Sequence, residues 1–540
     1  MKSIRTSLGY SLLATVLAGS VALAAPNGSK PSVPAPDIQV SSQATLPKPG
    51  TGNFVERFVR DLRGSGLEVS VGYPMLYTQK DCVYTYPVFH SCYGNNPASP
   101  YVIPVVKSWP DEYVDPAMVN GFGRTRPGYS STYRLDPREA IIVFGRMPPP
   151  ARYIGLQTWI YTTGWVSDES PWDEDAWEMF AERAGPLIQY LFAQVPGNPE
   201  LVQSFSSVDN NINNVVMERA SGTPWDQIRY LVITPDQRTD EAVRLALKGL
   251  GVDGSEIFTE GIPETFQGAP VGPLGLDEQA VDFLTLLRYT MPDDEQAAEV
   301  WRKSLPLTVL RVRRSSGAGD PEPYPNHDAD ARTAVDESFL AEDLQGLLAA
   351  VVDRAASERL VLEKQEPMVD LLMDLGQFGP DCRVIGMNCL GDNQDASYFL
   401  FKPKPLDTGK IYAVLGTLAT ETGNATYVGV SVNDASLLKG VLNISDTKLK
   451  GSASDYGEYD PFFVHFFARD CDVIAGLADG LCTTITTDMV PFAADDSAPG
   501  DPVLHGMFSA AVRAYIKPGS ERGPDSTLQL RPWVLTFSLE

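Results

Sequence analysis

The sequence predicts a mixed α+β and α/β fold. An N-terminal α/β part with a parallel βαβ unit precedes a C-terminal, mainly antiparallel and sandwich-like β part. Two observations carry this reading. "RYLVIT" (229–234), a helical stretch from Thr239 to Leu250 and "SEIFTEG" (255–261) follow one another as strand, helix and strand, an order that gives a parallel pair. Beyond Pro367 the chain carries "SYFLFKP", "KIYAVLGTLAT", "ATYVGVSVN", "KGVLNIS", "FFVHFFARD", "AAVRAYIKP" and "PWVLTFSL", short β-rich runs separated by turn chemistry. No repeat of fixed period is visible.

In chain order, Lys2 and Arg5 precede an apolar run from Leu8 to Ala24 that ends in a small-x-small pattern, Ala22-Leu23-Ala24. Residues 1–24 are therefore expected to be a signal peptide, too short and too interrupted (Gly9, Ser11, Gly19) for a membrane anchor. A secreted or periplasmic protein follows. Residues 25–52 are rich in Pro and Ser and read as a disordered leader. The α/β domain is expected over 53–316, an exposed loop and long connecting helix over 317–366, and the β-rich domain over 367–540.

Within the α/β part, Asn53 can cap a helix whose Phe54, Val55, Phe58, Val59 and Leu62 recur at helical spacing. "AIIVFGRMPPPARYIGLQTWIYT" (140–162) reads as two strands joined by a rigid triple-proline loop. Weaker helical patterns cover Asp277 to Arg288 and Asp293 to Ser304, ahead of a strand at "PLTVLRVRR". Residues 315–332 break all pattern and read as an exposed connection. Thr333 with Asp336 is a capping-box signature opening a helix with Phe339, Leu340, Leu344, Leu347, Leu348, Val351 and Val352 on one stripe.

The six cysteines fall as close pairs, Cys82 with Cys92, Cys382 with Cys389 and Cys471 with Cys482. In an oxidising compartment these are expected to be local disulfides; zinc would need knuckles or several histidines at ligand spacing, and only His90 lies between Cys82 and Cys92. "DCVYTYPVFHSCYGNNPASPY" (81–101) thus reads as a stapled loop.

With 43 basic and 69 acidic residues the net charge is −26, which repels phosphate backbones and anionic membranes; neither nucleic acid nor inserted membrane is an expected partner. The densest basic cluster, Arg311, Arg313 and Arg314, reads as the solvated face of a strand end.

Motif matches are poor. Gly249, Gly251 and Gly254 satisfy G-x-G-x-x-G but close a helix instead of opening one, so they read as cap and turn. Ser436 with Lys439 and Ser431 with Asn433 give S-x-x-K and S-x-N in the wrong order for a penicillin-recognising serine enzyme. Of four histidines, His465 alternates with Phe463 and Phe467 and reads as core; His505 lies in a loop with nothing nearby to orient it.

His327, Asp328 and Asp330 bring an imidazole and two carboxylates into one loop and are the first candidates for acid/base chemistry or a metal. Asp236 and Glu260 should emerge at the carboxyl ends of the parallel strands, where open α/β sheets bind ligands; they form a candidate carboxylate pair, with Arg238 as an anion anchor. "GDNQD" (391–395) and "SDYGEYD" (454–460) offer oxygen ligands for a structural calcium ion, without EF-hand spacing; no other cofactor is indicated. Three function classes remain: an exported hydrolase acting on an extracellular polymer, sugar or ester between the two parts; an extracellular ligand-binding or surface-interaction protein; and a structural envelope component. The first is preferred because so long a chain has room for an interdomain cleft.

Overall fold

The computed structural model describes residues 52–540 apart from 117, 165–190, 192–193, 196–197, 316, 318, 371–379, 385, 475–476, 478–479 and 496–497. The expected signal peptide and the leader up to residue 51 lie outside the described residues.

The first half runs α1 (Gly52–Gly64), β1 (Leu67–Val71), β2 (Tyr73–Tyr77), α2 (Cys82–Phe89), β3 (Tyr101–Lys107), β4 (Glu139–Arg146), β5 (Ala151–Thr163), β6 (Asn198–Ser207), β7 (Ile228–Thr234), α3 (Gln237–Gly249), β8 (Ile257–Gly261), β9 (Asp282–Pro292), α4 (Glu295–Ser304) and β10 (Leu307–Arg314). The second runs α5 (Ala341–Ser357), β11 (Leu360–Pro367), β12 (Val369–Asp370), β13 (Ala396–Pro405), β14 (Lys410–Thr417), β15 (Tyr427–Asp434), β16 (Lys439–Ser445), β17 (Phe462–Ala468), β18 (Cys482–Thr484), β19 (Met507–Tyr515) and β20 (Trp533–Leu539).

These strands form two sheets in each half, and the orders coincide. The first half has β1-β10-β4-β7-β8 and β2-β3-β9-β5-β6; the second has β11-β20-β14-β17-β18 and β12-β13-β19-β15-β16. Adding ten to every label of the first half reproduces the second. In each, the edge pair (β7 with β8, β17 with β18) is parallel. The neighbours of the central strands β4 and β14 in the same sheets are antiparallel. The chain is a tandem structural repeat, 52–314 and 341–539.

Layering repeats as well. Ile141, Val143, Leu231 and Val309 meet Leu156, Ile160, Phe283 and Leu287 between the first two sheets, while α1 and α3 cover the outer face with Phe58, Leu62, Val243 and Leu247. In the second half Val414, Phe463 and Phe467 meet Phe399, Val430 and Val512, and α5 covers the outer face with Leu344, Leu347, Leu348 and Val351.

Local signatures recur at equivalent places. A left-handed residue precedes each first strand, Gly66 (φ 85°) and Arg359 (φ 63°). The central strands β9 and β19 each carry Phe-x4-Arg (Phe283 to Arg288, Phe508 to Arg513), with a left-handed residue three positions on, Met291 (φ 56°) and Ile516 (φ 40°). The repeat is invisible as a period because the connections between equivalent strands differ in length. Residues 108–138 stand where the second repeat has only 406–409, and 164–197 where it has 435–438.

The expected βαβ unit is present as β7-α3-β8, with Asp236 as the helix cap and Gly249 closing it. The second repeat makes the same parallel crossover with a 3₁₀ turn at Cys471–Val473 and the Cys471–Cys482 disulfide in place of a helix. That replacement is why the second half reads as purely β. All seven expected C-terminal strands are present. The triple proline joins β4 and β5, which belong to different sheets, so it carries the chain from one layer to the other.

Other expectations are corrected. Asp277 to Arg288 was expected to be helical, but its second half is strand β9. Phe283 and Leu287 face one core and Leu284 and Leu286 the other, and burial on both faces removes the period-2 signal. The stretch after Cys82 is a short helix, α2, preceded by a 3₁₀ turn, Gln79–Asp81, that a Thr78–Asp81 capping box opens. Thr333 caps nothing: α5 starts at Ala341 behind a 3₁₀ turn, and Phe339, expected on the apolar stripe, is 70% exposed.

Arg311 lies fully buried, paired with Glu139 and, at 2.6 Å, with Glu112; Arg314 pairs with Asp236 at 2.8 Å. Arg313 between them stays part-exposed against exposed Glu68 and Asp111, but Arg311 and Arg314 are core counterions and not a solvated strand end. The acids that neutralise them come from distant strands and loops, which local patterning cannot show.

Candidate functional site

Each repeat sends one disulfide-closed loop onto the other. In the first it joins β2 to β3 and holds Cys82–Cys92; in the second it joins β12 to β13 and holds Cys382–Cys389. The loops end in matching sequences, Cys92-Tyr93-Gly94-Asn95-Asn96 and Cys389-Leu390-Gly391-Asp392-Asn393. Their second and third residues share a left-handed backbone, with φ 64° and 53° in one and 51° and 69° in the other. Cys92 and Gly94 donate backbone hydrogen bonds to Leu437 and Leu438 O (2.8 and 2.5 Å), while Cys389 and Gly391 donate to Ser204 and Phe205 O (2.7 and 3.0 Å). The loops are exchanged across a quasi-twofold relation.

Beside each loop lies the arginine of the central strand. Arg288 pairs in register with Tyr101 and Gly155, and Arg513 with Tyr398 and Gly429. Both glycines are needed for close approach: a Cβ at Gly155 would lie 2.3 Å from Tyr153 Oη, and one at Gly429 2.6 Å from Tyr427 Oη. Both arginines are buried. They converge on a cavity of about 140 Å³ walled by both repeats, with Tyr101, Trp159 and Leu286 from the first and Tyr398, Leu438 and Tyr515 from the second. Burial pushes the Tyr101 phenol up to about 12 against the pull of Arg513 and Arg288, so this phenol remains neutral.

The two arginines differ in their partners. Arg288 donates to Asn393 Oδ1 (2.8 Å) and stands 3.7 Å from the Asp395 carboxylate, whose other oxygen accepts from Tyr153 at 2.9 Å. Asp392 of the same loop accepts from the Ser207 backbone N–H (2.6 Å) and hydroxyl. At the other junction Arg513 donates to Gly94 O at 2.7 Å, and its Nη1 is buried without a partner. Both amide atoms of Asn95 and Oδ1 of Asn433 are likewise buried and unpartnered. Among the described residues no carboxylate pairs with Arg513.

The residues singled out from sequence fall elsewhere. His327 Nε2 is 2.8 Å from Asp209 Oδ1, and this hydrogen bond raises the imidazole pKa. Asp328 adds a smaller electrostatic push in the same direction, and Asp330 contributes its backbone oxygen to Arg522. Glu260 is fully buried, accepts from Thr158 N–H (2.7 Å) and Oγ1 (2.6 Å), and is pushed up to about 8, chiefly by burial. The charge of Asp209 pushes it in the same direction. Asp236 is committed to capping α3, to Thr239 Oγ1 (2.6 Å), to Glu322 N–H (2.8 Å) and to Arg314. The expected Asp236–Glu260 pair is replaced by these separate engagements.

Arg238 bonds Glu322 and Asp320 O, so it anchors the chain's own 320–324 segment instead of a free anion. That segment bridges Asp236 to Pro323 and Pro263 to Tyr324, and lies across the strand ends where a ligand edge was expected. Asp392 accepts from Ser207 and one Asp395 oxygen from Tyr153, and no group of three or more His, Cys, Asp or Glu side chains suited to a metal ion occurs among the described residues. His465 is a buried strand residue bonded to Thr483 Oγ1 at 2.8 Å, its pKa lowered to about 4 by burial. All six cysteines form the expected near-neighbour disulfides. No helix is long and apolar enough to cross a membrane among the described residues.

Sequence reasoning missed Arg288, Arg513 and the cavity. The paired Cys-x-Gly-[Asn/Asp]-Asn runs, the two Phe-x4-Arg strands and the two Tyr-[Ile/Val]-Gly strands (153–155, 427–429) were the signal that could have found them.

The chain matches no protein-family model and no curated protein. Among solved structures it is similar to an uncharacterised protein from Burkholderia cenocepacia, at 12% identity over 92% of each chain with a TM-score of 0.33. It is also similar to the VPA0106 protein from Vibrio parahaemolyticus, at 11% identity over 75% of this chain and 87% of that one with a TM-score of 0.28.

Proposed function

We propose that the protein is an exported ligand-binding protein that holds a small organic molecule in the cavity between its two repeats. The observation that supports this is a cavity walled by both halves and lined by residues with buried polar atoms without partners: Arg513 Nη1, Arg288 Nε, Ser99 Oγ and Asn433 Oδ1. A buried polar group left unbonded costs about 1–3 kcal/mol, more when charged, so a cavity that keeps several is suited to an occupant that satisfies them. Its volume is close to that of an apolar cavity of roughly 150 Å³ known to hold benzene, which sets the occupant at six to ten heavy atoms. Three disulfides fit an oxidising location.

A thermal-shift screen of neutral and charged molecules of that size tests the reading, with Ala511→Phe as the control that fills the cavity from β19. Expected is a shift with the wild type that disappears in the variant; equal shifts in both proteins refute the cavity as the site.

One observation favours a hydrolytic reading: the imidazole expected to act as base, His327, is oriented by Asp209 as a catalytic histidine is by its carboxylate. Loss of at least about 100-fold in any hydrolytic rate with His327→Gln would select it.

A further inference from the structure

We infer that the molecule bound between the repeats is a small carboxylate whose carboxyl group supplies to Arg513 what the chain's own Asp395 supplies to Arg288. This rests on the cavity being a ligand site and adds the chemical class of the ligand.

The two inter-repeat junctions are built alike, so one serves as a template for the other. Tyr101 and Tyr398 occupy the same register beside their arginines, and each lies nine positions after the second cysteine of its loop. The loops therefore align without gaps: Asn95 stands for Asp392, Asn96 for Asn393 and Ala98 for Asp395. Both carbonyls also reach the central strand of their own repeat, Asp395 O accepting from Ile516 N–H and Ala98 O from the Thr290 hydroxyl.

At the first junction the loop delivers the Asp395 carboxylate to Arg288 and Tyr153. At the second, both acids of the loop have been replaced by neutral residues, but the arginine remains. Arg513 is only 7% exposed, and its one hydrogen bond from the guanidinium goes to a neutral carbonyl. An arginine buried without a counterion is strongly unfavourable, whereas charge-assisted hydrogen bonds to a carboxylate satisfy it. Tyr427, the counterpart of Tyr153, accepts a hydrogen bond from Asn443 Nδ2 at 2.9 Å and from Asn96 at 3.5 Å, which leaves its own proton available to an acceptor. Beyond the charged end, the cavity wall is Leu286, Leu390, Leu438, Trp159 and Phe205, which suits an apolar body of about six carbons. An aryl or short branched aliphatic monocarboxylate meets both requirements.

The probes are benzoate, its neutral isostere benzamide, and inorganic phosphate, read by calorimetry and by Tm. Benzoate at a hundredfold its Kd should raise the Tm by on the order of 3 °C, with benzamide binding at least tenfold more weakly and phosphate giving no shift. Arg513→Gln, which keeps a donor and removes the charge, should weaken benzoate at least tenfold and leave benzamide unchanged. Ala98→Asp restores the internal acid; it should raise the Tm of the ligand-free protein and abolish the response to benzoate. Should Ala98→Asp not fold, the Arg513→Gln comparison decides alone. Equal binding of benzoate and benzamide, insensitive to Arg513→Gln, would overturn the carboxylate inference but leave the cavity reading intact. A response to phosphate alone overturns it too. No response to any probe or to the wider screen removes both.

Discussion

Replacing Arg311 by methionine keeps much of the side-chain volume and deletes the charge at a point where the structure leaves no solvent to replace it. Arg311 is fully buried. It bonds Glu139, Glu112 Oε2 at 2.6 Å and Arg134 O at 2.6 Å, and so links β10 to β4 and to the loop before it. The variant strands Glu139, which is itself fully buried, and nearly buried Glu112. Breaking a buried pair from one side costs about 3–5 kcal/mol. With about 2.1 cal/mol/K of unfolding entropy per residue, that is roughly 5–9 °C if the first repeat melts alone and roughly half as much if both melt together.

The deficit should also depend on pH. Burial already pushes the Glu139 carboxyl upward against the pull of Arg311, and in the variant that push is unopposed. A carboxyl whose folded pKa lies above its unfolded value binds its proton more tightly in the folded state, so its contribution is present at low pH and lost as pH rises. The difference from wild type should therefore grow between pH 5 and pH 8. Adding Glu139→Gln to the variant should recover part of the loss. Paired calorimetric melts at the two pH values test this. A loss below about 1 kcal/mol, or one that is the same at both pH values, would refute the assignment of this cluster as a buried charge network.

Two further outcomes are expected. Opening Cys82–Cys92 by double serine substitution should cost roughly 2–3 kcal/mol from chain entropy; because the loop also bonds Leu437 and Leu438 of the other repeat, two separate transitions should replace a single melt. The hydrogen bond to Asp209 holds the His327 pKa above its ordinary value, so an NMR titration of its ring protons should move downward in Asp209→Asn. The stabilisation His327 provides should be present below about pH 6.5 and fade as pH rises through the folded pKa; an unchanged titration would show that the pair does not form in solution.

The sequence by itself determined what depends on neighbours a few residues away. Near cysteines could be paired because short loops close without long-range geometry. The strands beyond Pro367, the βαβ unit and the helix over 341–357 could be recognised because period and turn chemistry are local properties. Local patterning failed where burial was two-sided, as in β9, or where a charge met its partner across the fold, as Arg311 meets Glu139 from 172 positions away. The repeat itself was hidden by unequal loops, and by a crossover that is a helix in one half and a disulfide-closed turn in the other. Only the tertiary structure brings Arg288 and Arg513 to one cavity and shows that, among the described residues, one has its carboxylate and the other does not. Whether a buried charge is satisfied depends on which groups surround it in space, and for Arg513 those groups come from loops and strands hundreds of residues apart in the chain.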